Sequence, residues 1–251
     1  KAILPIHAFG QPADMDPILE LARKHNLAVI EDACEAIGAQ YQGRWAGTMG
    51  DAAVFAFYPN KQMTTGEGGM IVTDRNDWAE LFRSLRNQGR DTFDAWLNHT
   101  RLGYNYRLDE MSAALGFAQL QRIEELLEKR TRVAEWYNDR IDEIAGVDKP
   151  YIAPTTTRMS WFVYVVRCAD GVSRNALMAA LHEKGIPSRP YFTPIHLQPF
   201  YRDKFGWQRG DLPHTEKAGD SFLALPFSGI MTEAQVDYVC ECIDTGIQVS
   251  T

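Results

Sequence analysis

The 251-residue sequence has no Lys/Arg-rich block, no Cys-x-x-Cys pair, no internal repeat and no low-complexity tract. No stretch approaches the roughly 18 apolar residues of a membrane span. With a formal net charge of -7, the missing basic block argues against nucleic acid or an anionic membrane as the main partner. The four cysteines, Cys34, Cys168, Cys240 and Cys242, lack zinc-site spacing and nearby histidines, so they read as reduced thiols packed in the core. His7, His25, His99, His182, His196 and His214 show no ligand spacing either, which sets aside a metal hydrolase and leaves no metal expected. No charged segment followed by an apolar one opens the chain, and the expected location is cytoplasmic.

What is present is ordinary for a globular protein: 45% apolar and 24% charged residues. The length exceeds one usual core, which predicts a large α/β layer with a smaller appended domain. The chain starts at Lys1 and enters the apolar run Ile3-Leu4-Pro5-Ile6 at once, as if part-way through a domain. Residues 13–26 read as a helix with Asp16 as cap and Pro17 in the first turn, followed by an apolar strand over 27–32. Further strands are expected at 52–57 and 70–73. The helical pattern from 109 to 144 is long enough for two abutting helices, and the Gly-, Pro- and Thr-rich stretch 145–160 is the expected boundary. Residues 1–144 would then form the large domain and 145–251 a small α+β domain. In the latter, 161–168 reads as a strand, 173–184 as a capped helix, and 232–243 as a helix opened by a Thr232-x-x-Gln235 capping box. Between them, 187–213 holds five prolines and six aromatic residues, which suits a shaped binding loop.

Two residues carry chemistry. Lys61 lies in Phe57-Tyr58-Pro59-Asn60-Lys61-Gln62-Met63, ahead of a Thr-Thr-Gly-Glu-Gly-Gly tail, and Asp32 ends the strand 27–32. Singly, Lys61 reads as a turn lysine and Asp32 as a strand-end cap for the next helix. Jointly they favour pyridoxal phosphate, because an amine can hold that cofactor's aldehyde as an imine while a carboxylate keeps its pyridine nitrogen protonated. Arg83, Arg86, Arg90, Arg101 and Arg189 could meet an anionic substrate, although a solvated helix face accounts for the first three.

Three segments, Ile30-Glu31-Asp32-Ala33-Cys34-Glu35-Ala36-Ile37-Gly38, the Lys61 loop, and Gly103-Tyr104-Asn105-Tyr106-Arg107-Leu108-Asp109-Glu110, resemble in order and spacing the DegT/DnrJ/EryC1/StrS family of sugar aminotransferases. The resemblance implies the aspartate-aminotransferase fold, type I among pyridoxal-phosphate enzymes, with a partial large domain of mostly parallel sheet. By position, Lys61 resembles the lysine that binds the cofactor and shuttles the substrate proton, and Asp32 resembles the partner of the pyridinium nitrogen. Glu35 stands where the family often has Gln near the cofactor's phenolic oxygen, and Ala56 where many members place a phosphate-binding Ser. Asn105 resembles the residue that reaches the neighbouring subunit's phosphate, which implies a homodimer with shared active sites. Arg107 could add charge there or pair with Asp109. Arg189, Tyr191 and His196 lie in a segment resembling one folded over the sugar nucleotide, with a structural role for His196 the equal alternative.

The resemblance further implies amino transfer from an amino acid, with glutamate the expected donor, to a nucleotide-linked keto sugar, in a subgroup near the perosamine synthases of polysaccharide biosynthesis. Lys61 argues against the family's dehydratases, which replace this lysine. The family's segment preceding the position of Lys1, which supplies phosphate and ring-stacking contacts, is expected to be lacking. That keeps open a noncatalytic or regulatory role, or an inactive fragment that retains the fold.

Overall fold

Alternation along Ala28–Asp32 decides the first sheet: Val29 and Glu31 are buried on one face, while Ala28, Ile30 and Asp32 are half-buried on the other. The computed structural model describes residues 1–91 and 98–250. Its elements up to the middle of the chain are β1 (Ala2–Ile3), α1 (Met15–His25), β2 (Ala28–Asp32), β3 (Gln40–Tyr41), β4 (Arg44–Trp45), β5 (Ala52–Ala56), β6 (Gly69–Val72), α2 (Asn76–Arg86), α3 (Glu110–Leu120) and α4 (Ile123–Ile141). There follow β7 (Val147–Asp148), β8 (Thr156–Arg158), β9 (Tyr164–Cys168), α5 (Arg174–Glu183), β10 (Arg189–Pro190), a 3-10 turn (Ile195–Leu197), α6 (Pro199–Phe205), α7 (Pro213–Ser221), β11 (Phe222–Leu225) and α8 (Glu233–Ser250).

Internal contacts divide the chain into two units, Lys1–Leu127 with Ile152–Phe162, and Glu128–Tyr151 with Val163–Thr251. The chain therefore crosses between units inside α4 and on both sides of 152–162, so a single cut at 145 does not describe it. The reason is β8, which pairs antiparallel with β3 while Gln42 N donates to Thr155 O at 2.8 Å. A pairing over more than 100 residues leaves no mark in local composition.

In the first unit the sheet order is β1-β2-β5-β6, parallel through β5, with β6 antiparallel to it. Met15, Ala22, Val29 and Tyr41 form a buried cluster between α1 and the sheet. Asp16 does not cap α1: Asp14 holds that position, its Oδ1 accepting the Tyr41 hydroxyl at 2.6 Å, while Asp16 sits in the first turn and pairs with Arg44. Asn26 ends the helix in the left-handed conformation, φ 51. The long helical pattern splits as expected into α3 and α4, and Asp109 caps α3 by accepting from Ser112 N at 2.9 Å.

In the second unit an antiparallel sheet, β10-β11-β9-β7, carries α5 and α8. Leu177, Leu181, Leu223 and Ile243 are fully buried there, each worth about 1.5–3 kcal/mol relative to exposure. Ser173 caps α5, and the Thr232 capping box closes at both ends: Thr232 N donates to Gln235 Oε1 at 3.0 Å and Gln235 N to Thr232 Oγ1 at 3.3 Å. The last helix runs past 243 because Ile247 continues its buried stripe. The stretch 187–213 is more regular than a loop, holding β10, the 3-10 turn and α6. Proline at the first turn of α6 starts that helix instead of preventing it. Among the described residues, no helix is long and apolar enough to cross a membrane.

Candidate active site

Parallel strands collect side chains at their carboxyl ends, and the register Asp32↔Val54 sets the end of β2 beside β5, whose continuation is the Lys61 loop. That loop is closed by Phe57 N to Gly68 O and Thr65 N to Phe57 O, both 2.9 Å, and by a turn in which Lys61 N donates to Tyr58 O at 3.0 Å. Gly68 adopts φ +143, and a Cβ there would stand 2.6 Å from Thr65 Oγ1, so this tail accepts only glycine without strain.

The Lys61 side chain is 13% exposed; its Nζ lies 3.6 Å from Glu35 Oε1 and 4.1 Å from the Phe162 ring centroid. Glu35 Oε2 accepts from Phe9 N at 2.9 Å, which holds the carboxylate in place. Asp32 Oδ1 accepts from Cys34 N at 3.1 Å. Cys34 reports the electrostatics of this end of the sheet: burial and the Asp32 carboxylate push its thiol up to about 12, against the pull of Lys61, with Glu35 adding to the rise. Two carboxylates and one amine therefore act on a single half-buried thiol, which stays protonated and is no nucleophile at neutral pH.

These residues fit pyridoxal phosphate by the chemistry of the donor set. Lys61 is the primary amine that could hold an aldehyde, and Asp32 the carboxylate that could hold a pyridinium proton. Glu35 is already engaged by an amide and the lysine. Ala56, paired with Gly69 at the end of β5, brings no hydroxyl.

The remaining expected residues lie on other segments. Asn105 is exposed and bridges antiparallel to Asn87. Arg107 donates to Asn87 Oδ1 at 2.8 Å and not to Asp109, whose carboxylate is used as a helix cap. Arg83 and Arg86 are exposed in the last turn of α2, and Arg101 pairs with Asp91. Arg189, Tyr191 and His196 belong to the second unit. There His196 is buried, its Nε2 3.0 Å from Glu216 Oε1, and Glu216 also accepts from Gly210 N and Leu212 N. Burial pushes the Glu216 carboxyl up, but the His196 bond and these amides prevail and hold it below its ordinary value.

Sequence reasoning missed Phe9, Ser160 and Phe162 around Lys61, and missed the fully buried pair His7 and Glu31 behind Asp32. Only Glu31 left a trace, as a carboxylate inside an apolar run.

A family model for the DegT/DnrJ/EryC1/StrS aminotransferases matches residues 1–244. The GDP-perosamine synthase of Caulobacter vibrioides is 44% identical over 247 residues, which cover 97% of this chain and 65% of that protein. The GDP-perosamine synthase of Escherichia coli O157:H7 is 36% identical over 245 residues, again 97% of this chain and 65% of the relative. The chain thus spans about 65% of the length of these curated relatives. Among solved structures, S. venezuelae DesV matches with a TM-score of 0.89 at 34% identity, covering 98% of this chain and 64% of that one. Helicobacter pylori PseC reaches a TM-score of 0.93 at 24% identity, covering 99% of this chain and 67% of that one, a likeness of fold. The architecture is the type I fold expected from the three segments, and the chain belongs to the DegT/DnrJ/EryC1/StrS aminotransferase family.

Proposed function

We propose that this chain carries the catalytic lysine of a pyridoxal-phosphate-dependent aminotransferase that moves an amino group from an amino acid, glutamate, to a nucleotide-linked keto sugar. One observation carries the reading: the Lys61 amine is enclosed by Glu35 and Phe162 at the sheet end that also bears Asp32. Family membership and the names of the GDP-perosamine synthases support the substrate class.

When bound, pyridoxal phosphate supplies an aldehyde carbon that takes up an amine and a ring that withdraws electrons. Asp32 would hold the proton of the ring nitrogen, keeping that withdrawal strong. Lys61 Nζ would bind the aldehyde and, once displaced by the donor, carry the proton taken from the donor's α-carbon. Glu35 orients the amine through its 3.6 Å approach, and its second oxygen is fixed by Phe9 N. Asn105, exposed on the segment after Arg101, would serve a second copy's phosphate, making the working unit a homodimer. Arg189, Tyr191 and His196 are proposed to serve the sugar-nucleotide substrate because their segment resembles the one the family folds over it; the His196 pairing with Glu216 fixes that segment.

The test adds pyridoxal phosphate to the purified chain and follows an absorbance band that borohydride removes. The reading predicts that Lys61→Ala abolishes the band and the corresponding mass increment on the Lys61 peptide. An equal band in the variant would refute it.

A further inference from the structure

We propose that Gln62 and Phe162 are positioning residues that fix the direction in which Lys61 presents its amine, a reading that rests on Lys61 being the reacting group. Gln62 is 4% exposed, and its Nε2 donates to Glu35 O at 2.7 Å and to Ser160 Oγ at 3.0 Å. A carbonyl only accepts, so the Glu35 bond fixes which end of the amide is nitrogen. Gln62 Oε1 is then left buried with no hydrogen-bond partner among the described residues. An apolar side chain of similar length would avoid that loss but would break the link between Glu35 O and Ser160 Oγ, so that link is what the amide supplies.

What it joins is a closed ring of segments around the amine. Ser160 N donates to Gly10 O at 2.9 Å, Phe162 N to Phe9 O at 3.2 Å, and Phe9 N to Glu35 Oε2 at 2.9 Å. Gln62 closes the circuit back to Glu35. The two backbones touch directly: a Cβ on Gly10 would stand 2.5 Å from Trp161 N, and Phe9 and Trp161 adopt φ 62 and 49. Lys61 Nζ is held between the Glu35 carboxylate and the face of Phe162, whose ring attracts a cation. A lysine has four rotatable bonds, and holding its amine in one direction removes an orientational search from reaction with a partner bound in that direction, while it shields Nζ from a reagent arriving from solvent. The 152–162 return of the chain into the first unit thus has a functional purpose as well as a pairing partner.

The experiment measures reductive methylation of Lys61 in the ligand-free chain, read by peptide mass spectrometry against exposed Lys24 in the same molecule. Phe162→Leu and Gln62→Leu are each expected to raise the Lys61 rate about fivefold relative to Lys24, with Phe162→Tyr, which keeps the ring face, within about twofold of the parent. Rates within about twofold of the parent in both leucine variants would overturn the proposal. If Phe162→Leu does not fold, Gln62→Leu decides alone. Unfolding of Gln62→Leu would also overturn it, by making the amide a stability element. A labelling response without any borohydride-stable adduct from pyridoxal phosphate would leave the positioning intact and defeat the proposed function, so the two failures are distinguishable.

Discussion

Glu31 Oε2 accepts the Nε2 proton of His7 at 2.8 Å, with both side chains fully buried. His7 Nδ1 accepts from Ala13 N at 3.0 Å, so the ring is the neutral tautomer with its proton on Nε2. The same carboxylate accepts from Gly47 N at 2.8 Å and from Met49 N and Gly50 N at 2.6 Å. One side chain therefore ties His7 and the 47–50 turn to the strand that carries Asp32.

Glu31→Ala is expected to cost about 3–5 kcal/mol, because it leaves buried donors without an acceptor. Glu31→Gln keeps part of the network and should cost about 1–3 kcal/mol. Urea unfolding of both variants measures this, and a loss under about 1 kcal/mol for the alanine variant would contradict the role given to the carboxylate.

The same site makes stability depend on pH. Burial pushes the Glu31 carboxyl up, but the bonds from His7, Gly50, Gly47 and Met49 outweigh it, and the folded-state value lies below the ordinary one. A depressed carboxyl contributes stability above its unfolded value, about 4.3, and loses it as pH falls through the lower folded value. The stability gap between the parent and Glu31→Gln should therefore be full near neutral pH and shrink in acid below that point. A gap that widens in acid would reverse the sign.

Gly10 and Gly43 both have positive φ, 96 and 78, but only Gly10 faces a backbone. Gly43→Ala should cost about 1 kcal/mol from conformation alone. Gly10→Ala adds a collision with Trp161 N at 2.5 Å, and its cost should exceed that of Gly43→Ala by at least about 1 kcal/mol. Equal melting-temperature losses would show that the 160–162 segment is loosely held.

Asp32→Asn should retain the fold and weaken retention of pyridoxal phosphate by about 10- to 100-fold, the loss of a hydrogen bond to a charged group. Equilibrium titration by absorbance, with a thermal melt as control, distinguishes this from unfolding. Unchanged affinity would remove Asp32 from the cofactor site.

Ser173, the Thr232–Gln235 box, the α3–α4 pair and the strand ending at Asp32 could be read from the sequence because caps and apolar periodicity act over a few residues. Lys61 and Asp32 stand out in the sequence by the type of chemistry each residue can perform and by the segments around them, and the roles given to them are those proposed above. The Asp14 cap escaped because its oxygen serves Tyr41, 27 positions away, and the capping rule names residue types without saying which neighbour they will meet.

By itself the amino-acid order determined local elements, the family's segments and which amine is proposed to react, since these depend on side-chain type and short-range spacing. Only the tertiary structure decided that Phe162 faces Lys61, that Gln62 joins Glu35 to Ser160, and that Glu31 is held by His7 and a distant turn. Those contacts join positions dozens of residues apart, and their partners are selected by strand pairing and close packing, which no local pattern encodes.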